Sequence, residues 1–173
     1  MARRLPFIAL SAAIAACAPL SVSSYIHPAA DFSRYETYDW GARDPLPTGD
    51  PRLDNNPFFD SQVRASVERQ LAAKGYRRVS GNPDLVLHYH ASVQEKVDVY
   101  RVDAEAGYRT ETAAVQYEEG TLVLDVADAK TREIVWRGWG QGDIEGVINE
   151  QSRMEKRVKE VTQKMLERFP PRS

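Results

Sequence analysis

The sequence feature that most constrains the fold is a strict alternation of side chains over residues 85–93. One set consists of Leu85, Leu87, Tyr89, Ala91 and Val93, and the other of Val86, His88, His90 and Ser92. Because successive side chains of a strand point to opposite faces, the pattern predicts a β-strand with one apolar face and one face that carries two imidazoles. Such a strand needs further strands and a covering layer to bury its apolar row.

A β-hairpin is predicted over residues 120–142. On its outgoing strand, Leu122, Leu124 and Val126 oppose Val123 and Asp125. Residues 128–132 are predicted to form the turn, since an Asp side chain at its start can bond its own backbone. On the return strand we expect Ile134 and Trp136 on one face and Val135 and Arg137 on the other, before glycines at 138, 140 and 142 loosen its end.

Weaker sequence patterns predict the remaining strands. Aromatic and β-branched residues alternate over residues 35–40, which predicts a strand that ends near Gly41. Residues 97–102 are predicted as a hairpin partner of the 85–93 strand, and residues 103–114 as a loop.

Two amphipathic helices are predicted from apolar residues spaced three and four apart. The first begins at Asn56, a capping residue followed by proline, with Asp60 as a rival cap, and ends at Gly75. Its apolar stripe is Val63, Val67 and Leu71, with Arg64 on the solvent side. The second has the stripe Met154, Val158, Val161, Met165 and Phe169, a capping box of Ser152 and Glu155, Arg157 on the solvent side, and an end at Pro170 and Pro171.

The element order β-α-β-β-β-β-α therefore predicts an α+β fold. We expect an antiparallel sheet, or a mixed one, of about five strands, with both helices packed on one face. The opposite face, with His88, His90 and Ser92, would then remain available to a partner.

The N-terminus has the organisation of a bacterial export signal. Arg3 and Arg4 precede an apolar run over residues 5–16, which is too short for the roughly 20 residues of a membrane span. Cys17, the chain's single cysteine, follows at once. A plain secretory signal would leave an unpaired thiol in an oxidising compartment. The run Ile14, Ala15, Ala16, Cys17 resembles a bacterial lipobox, in which the cysteine receives a diacylglyceryl group and becomes the new N-terminus.

The lipobox resemblance implies a lipid-anchored protein with three segments. These are a signal peptide over residues 1–16, the lipidated Cys17 with a flexible tether over 17–30, and one α+β domain over 31–171. Ala18, rather than Asp, after the cysteine favours the outer membrane, with the domain facing the periplasm. Two or three acyl chains would hold the protein there stably. Basic residues are dispersed and number 23 against 25 acidic ones, which argues against a nucleic-acid partner.

Few side chains are spaced for chemistry. His88 and His90 share a strand face and are weak metal candidates, but no third ligand is placed near them, so we predict no metal and no cofactor beyond the covalent lipid. Asp125 and Asp128 are interpreted as a solvated strand residue and a turn residue rather than as paired catalytic acids. No catalytic constellation is visible, and the chain is predicted not to be an enzyme.

Aromatic residues near strand ends are the other feature of interest. They are Tyr35, Tyr38, Trp40, Trp136 and Trp139. Packing in the core and at sheet edges is the expected role, and a ligand groove is the alternative. The surface proposed for a ligand or partner consists of Trp40, His88, His90 and Trp139.

A series of short stretches resembles the bacterial envelope lipoproteins that carry "domain of unknown function 4136". The stretches are Asp31-Phe32 with Tyr35, Thr37, Tyr38 and Trp40; Leu71 with Lys74-Gly75-Tyr76; Pro83-Asp84-Leu85 with Tyr89; Tyr117 with Glu119-Gly120-Thr121-Leu122; Asp125 with Asp128; Val135-Trp136-Arg137-Gly138; and Phe169-Pro170-Pro171. The resemblance implies an α+β domain on the periplasmic side of the outer membrane and no established activity.

Taken together, these patterns favour a non-enzymatic envelope lipoprotein, an accessory or interaction module. Its expected partners are the membrane, through the lipid, and another envelope protein or component. The alternative is a lipoprotein that binds a glycan or a small apolar molecule in an aromatic groove.

Overall fold

A computed structural model describes residues 20–43, 45–103 and 110–172. The elements in chain order are β1 (Leu20–Ile26), a 3₁₀ turn (Phe32–Arg34), β2 (Thr37–Trp40), α1 (Pro57–Ala73), β3 (Arg77–Arg78), β4 (Leu85–Asp103), β5 (Thr110–Asp128), β6 (Ile134–Asp143) and α2 (Gln151–Glu167). Within these residues, neither helix has the length and apolar character needed to cross a membrane.

The strands form one six-stranded sheet in the order β1-β6-β5-β4-β2-β3. Pairing is antiparallel from β1 to β4, whereas β2 runs parallel to both β4 and β3. The predicted α+β class, with a mixed sheet and two helices on one face, is confirmed.

The predicted hairpin between residues 85–93 and 97–102 is wrong. These residues form one continuous strand, β4, which pairs antiparallel with β5 along its whole length, from Leu85 opposite Asp128 to Asp103 opposite Thr110. The physical reason is local, because residues 94–96 contain no Gly, Pro, Asn or Asp to turn the chain. The predicted loop over 103–114 is strand from Thr110 onwards, and residues 104–109 of that prediction lie outside the described residues.

The segment predicted as a flexible tether contains an edge strand. Residues 20–26 form β1 and pair antiparallel with β6, with Val22 opposite Gly140. Alternate serines made this segment resemble a linker, but Leu20 and Val22 pack against the core. Of the predicted tether, only residues 18 and 19 separate Cys17 from the sheet.

Both predicted helical stripes are buried. Val63, Val67 and Leu71 of α1 face the sheet beside the α2 stripe. The Asn56 side chain accepts a hydrogen bond from Phe59 N at 3.0 Å, and Gly75 ends α1 with a φ of +93°. Both ends of α1 are therefore set by the local signals that predicted them.

The capping box predicted for α2 does not form. Glu150 is the N-cap residue and makes no side-chain capping bond. The Ser152 hydroxyl donates instead to Glu150 Oε1 at 2.5 Å, and therefore leaves the helix N–H groups uncapped.

Glycines on β6 allow the core to pack closely. A Cβ at Gly138 would lie 2.2 Å from the Trp136 ring, and one at Gly140 would lie 2.2 Å from Val161 Cγ2. Any side chain at Gly140 would therefore push α2 away from the sheet. The register of β5 and β6 shifts beside Val126, so that Val135 and Trp136 are both buried rather than on opposite faces as predicted.

Candidate functional site

The sheet face opposite the two helices carries most of the predicted site residues. We call it the open face and define it by Tyr25, His88, His90, Asp125, Arg137 and Trp139. Cross-strand register places His88, Asp125, Arg137 and Tyr25 in one row across four strands. His90, Val123, Trp139 and Ser23 form the next row.

A bidentate ion pair lies at the centre of the open face. Arg137 Nε and Nη2 donate to the two carboxylate oxygens of Asp125 at 2.5 and 2.7 Å. The hydrogen bond to this carboxylate raises the pKa of Arg137. Both oxygens of Asp125 therefore accept hydrogen bonds from a permanent cation.

The two weak metal candidates, His88 and His90, lie on the open face. Within the described residues, no group of three or more His, Cys, Asp or Glu side chains is arranged to hold a metal ion. His88 is exposed, and its Nδ1 lies 3.3 Å from the carbonyl oxygen of Ala42. Its ring occupies space that a side chain at Gly41 would need, since a Cβ there would lie 2.0 Å from His88 Cε1. The imidazole is thus packed against the chain that leaves β2.

Trp40 lies apart from Trp139. Trp40 points to the helical side of the sheet, where its ring packs edge-on against Tyr89 and its Nε1 donates to Glu68 of α1 at 2.9 Å. Together with His88 and His90 it lines a cavity of about 60 Å³ beyond the end of β2. Trp139 lies two strands from β4, on β6. The structure therefore brings three of the four predicted surface residues together around the β4 edge.

A charged cluster that sequence reasoning missed fastens α1 to the sheet. The Asp60 carboxylate accepts from Tyr89 Oη at 2.8 Å, Arg64 Nε at 2.9 Å and Arg43 Nη2 at 2.7 Å. Burial raises the pKa of Asp60, but these bonds and the arginine charges outweigh it and hold the pKa below its ordinary value. Arg64 also stacks 4.6 Å from the Trp40 ring centroid, so its predicted place on the solvent side is wrong.

The remaining aromatic and acidic candidates have structural roles. Tyr38 and Trp136 are buried in the core, and the Tyr35 hydroxyl donates to Asp128 Oδ2 at 2.9 Å. Asp128 Oδ1 accepts the backbone N–H groups of Lys130 and Thr131 at 2.7 and 3.0 Å, which is the predicted turn geometry. The five aromatics lie on both sides of the sheet, and they do not line one groove.

An apolar cavity of about 70 Å³ opens between the sheet and the N-terminal half of α2. Its walls include Leu20 of β1, Ala91 of β4, Leu122 of β5, and Ile148 and Val158 near and within α2. Sequence reasoning missed this cavity. The glycines at 120, 140 and 142 help to line it, but they were no clear signal, since Ile144 and Val161 fill the space that Gly120 and Gly140 leave.

The fold and these surfaces define the class, an α+β domain whose two helices cover one face of a mixed sheet and leave the other exposed. The chain belongs to the family described as domain of unknown function (DUF4136), whose model matches residues 22–171. The match begins within β1, in agreement with the place of that strand in the sheet. A comparison with curated protein sequences finds no match.

Two solved structures with TM-scores above 0.5 share the fold at low sequence identity. A PDZ domain protein from Parabacteroides distasonis is 12% identical with a TM-score of 0.57, over 90% of this chain and 36% of that one. This chain thus spans about a third of that protein. A PelC dodecamer from Paraburkholderia phytofirmans is 13% identical with a TM-score of 0.51, over 90% of this chain and 100% of that one. A minor lipoprotein from Acinetobacter baumannii, 10% identical with a TM-score of 0.34, overlaps 79% of this chain and 95% of that one.

Proposed function

We propose that the protein is a non-catalytic lipoprotein of the bacterial envelope that holds its domain on the periplasmic side of the outer membrane and binds another envelope component through the open face. The observation that carries the proposal is the open face itself. Both helices pack on the other face, while Tyr25 is 46% exposed beside the partly buried Trp139. Aromatic residues with a fixed arginine beside them are typical of protein contact surfaces.

Two acidic side chains of the domain are held in ion pairs, which favours a binding role over acid–base chemistry for those two residues. The Asp125 carboxylate is bonded to Arg137, and the Asp60 carboxylate is bonded to three donors. General acid–base chemistry needs a group free to exchange a proton with a substrate. These two acids are instead held in ion pairs.

The anchor supports the same proposal from the sequence. A lipid on Cys17 would concentrate the domain at the membrane surface and raise its effective concentration near membrane-bound partners. We expect Cys17→Ser to move the protein from the membrane fraction to a soluble or unprocessed form. Mass spectrometry of the wild-type N-terminus is the direct measurement, and a free Cys17 thiol on the exported protein would contradict the anchor.

The open face can be tested separately by photo-crosslinking in intact cells. Benzoylphenylalanine in place of Trp139 should give a discrete adduct that disappears when Arg137→Glu reverses the central charge. The same probe at Lys156, which is exposed on α2, is the matched control and should not give that adduct. An adduct of equal yield from both positions would argue against a partner on the open face.

A ligand-binding role in an aromatic groove has less support. The aromatic residues that would form the groove lie on both faces of the sheet, and Tyr38 and Trp136 are buried. A glycan platform needs aromatic faces that are exposed together, and the structure separates Trp40 from Trp139 by two strands.

A further inference from the structure

The hydrophobic core is sealed at one end and open at the other. Trp136, Met165, Leu166 and Phe169 are 0–1% exposed. The core residues that line the apolar cavity are less completely covered, with exposures of 4–9%: Leu53, Phe59, Ala91, Leu122, Met154, Val158 and Val161. Residual exposure in the core is thus concentrated around one cavity.

The cavity is suited to an unbranched apolar ligand. A volume of about 70 Å³ holds several water-sized groups, at about 10–15 Å³ for each. Water is poorly stabilised there, since the walls are mostly aliphatic side chains and glycine. The charged side chain in the wall, Arg157, is already engaged, donating to the Asp143 carbonyl at 2.7 Å and to Glu160 Oε2 at 3.2 Å. Its predicted place on the solvent side is therefore also wrong.

A network of hydrogen bonds supports the rim of the cavity. Arg52 donates to Asp50, two residues earlier in the chain, to Glu118 of β5 at 2.7 Å and to Asn149 at 2.9 Å. These bonds join the loop that carries Leu53 to the turn that carries Ile148, and both of these residues line the cavity. Polar groups outside the cavity thus hold two of its lining segments together, although its interior is apolar.

The start of the domain indicates what occupies the cavity. Leu20, the first residue of β1, lines it, and Cys17 lies three residues earlier in the chain. Three residues span at most about 10–11 Å. The cavity wall at Leu20 is therefore within the reach of a group attached to the Cys17 sulfur, and the attachment would give that group a local advantage over free lipids.

We propose that the apolar cavity binds a segment of an acyl chain of the protein's own lipid anchor. The inference rests on the proposed function, because it requires the lipid on Cys17. While one acyl chain is bound in the cavity, the domain would be held close against the membrane. When that chain leaves the cavity, the domain could move away from the membrane by the length of the short tether.

The test is a photo-crosslink within the full-length protein in intact cells. Benzoylphenylalanine replaces Ile148 at the rim, and the digested protein is examined by mass spectrometry. We expect the peptide with position 148 to be joined to the acylated Cys17 peptide. The same probe at Tyr25 is the matched control, since Tyr25 is exposed five residues beyond Leu20 but lies on the open face, and it should not give this product.

A second variant keeps the inference falsifiable if the probe disturbs the rim. Ala91→Leu adds aliphatic volume within the cavity, and we expect it to reduce the 148–Cys17 product to the level of the Tyr25 control while the melting temperature does not fall. An acylated Cys17 without this product would overturn the inference and leave the proposed function standing. A product with a bilayer phospholipid would overturn the assignment to the protein's own anchor. An unmodified Cys17 would overturn both.

Discussion

Ser66 of α1 and Thr162 of α2 form a buried hydrogen bond where the helices meet. Their hydroxyl oxygens are 2.6 Å apart, and the Thr162 hydroxyl also donates to the Val158 carbonyl oxygen at 2.7 Å. Ser66 is 1% exposed and Thr162 is 0% exposed. A buried hydroxyl that loses its partner costs about 1–3 kcal/mol, whereas removal of both partners can be nearly neutral. This pair is therefore suited to a double-mutant cycle.

We predict that Thr162→Val lowers the free energy of unfolding by about 1–3 kcal/mol, because it strands the Ser66 hydroxyl. The double variant with Ser66→Ala should recover part of that loss. Urea unfolding of the two single variants and the double variant measures the coupling. Strictly additive effects would show that the two hydroxyls act independently.

Asp84 holds the start of β2 by its charge. Asp84 Oδ2 accepts Glu36 N at 3.0 Å, Thr37 N at 2.9 Å and Thr37 Oγ1 at 2.8 Å. Burial raises the pKa of Asp84, but these hydrogen bonds and the charge of Lys130 outweigh it and lower the pKa. A carboxyl group with a lowered folded-state pKa stabilises the protein above its unfolded-state pKa and loses this contribution as the pH falls.

We predict that Asp84→Asn is less stable than wild type by roughly 1–2 kcal/mol at neutral pH, and that the difference shrinks as the pH falls below about 4. Asn keeps an acceptor but lacks the charge, so it resembles the protonated acid. Denaturant unfolding across pH 3–7 checks this, with Glu133→Gln at an exposed turn position as the control. A difference that is constant with pH would assign the effect to geometry rather than charge.

The two open-face histidines lead to a prediction about metals. Since no third ligand is placed beside His88 and His90 among the described residues, we expect the melting temperature of the variant with both replaced by Gln to be the same with and without a chelator. The wild-type melting temperature should also be the same with and without a chelator. A chelator-dependent decrease in the wild type would reveal a metal that these residues help to hold.

At the scale of elements, the apolar stripe of Val63, Val67 and Leu71 packs α1 against the sheet. Leu71 is 2% exposed in the core, whereas Arg69 is exposed on the same helix. We predict that Leu71→Ala lowers the free energy of unfolding by about 2–5 kcal/mol and that Arg69→Ala stays within about 0.5 kcal/mol of wild type. Arg64 is unsuitable as the control, because it bonds Asp60 and stacks on Trp40. Equal losses from the two variants would contradict the assignment of the buried face.

At the scale of the whole molecule, the sealed and open ends of the core should differ in their response to the same substitution. Met165 is 0% exposed at the sealed end of α2, and Met154 is 4% exposed beside the apolar cavity. Side chains beside a void have fewer packing partners to lose. We predict that Met165→Ala costs about 1 kcal/mol more than Met154→Ala, within the roughly 2–5 kcal/mol range of such truncations.

Denaturant unfolding of both methionine variants measures this difference, and each serves as the other's control because the helix and the substitution are the same. If Met154→Ala lowered the free energy of unfolding by as much as Met165→Ala or more, the prediction would be wrong, and the open end of the core would be packed at least as tightly as the sealed end. The measurement uses protein without lipid, as the Cys17→Ser variant, so that an acyl chain does not fill the cavity.

The sequence by itself determined the features that depend on neighbours within a few residues. The bounds of α1 follow from Asn56, Pro57 and Gly75, and the apolar faces of both helices follow from their spacing. The turn at Asp128 is likewise local. These features set the α+β class, because a one-sided helix and an alternating strand must bury their apolar faces against each other.

Only the tertiary structure decided the features that depend on distant residues. β1 joins the sheet because β6 offers it a partner edge, and Asp60 is buried because Tyr89 and two arginines converge on it from other elements. The apolar cavity exists because residues of β1, β4, β5 and α2, which are remote from one another in the chain, meet around it. The periodicity of the sequence does not predict these contacts, because they join residues that are remote in the chain and become neighbours only in the folded structure.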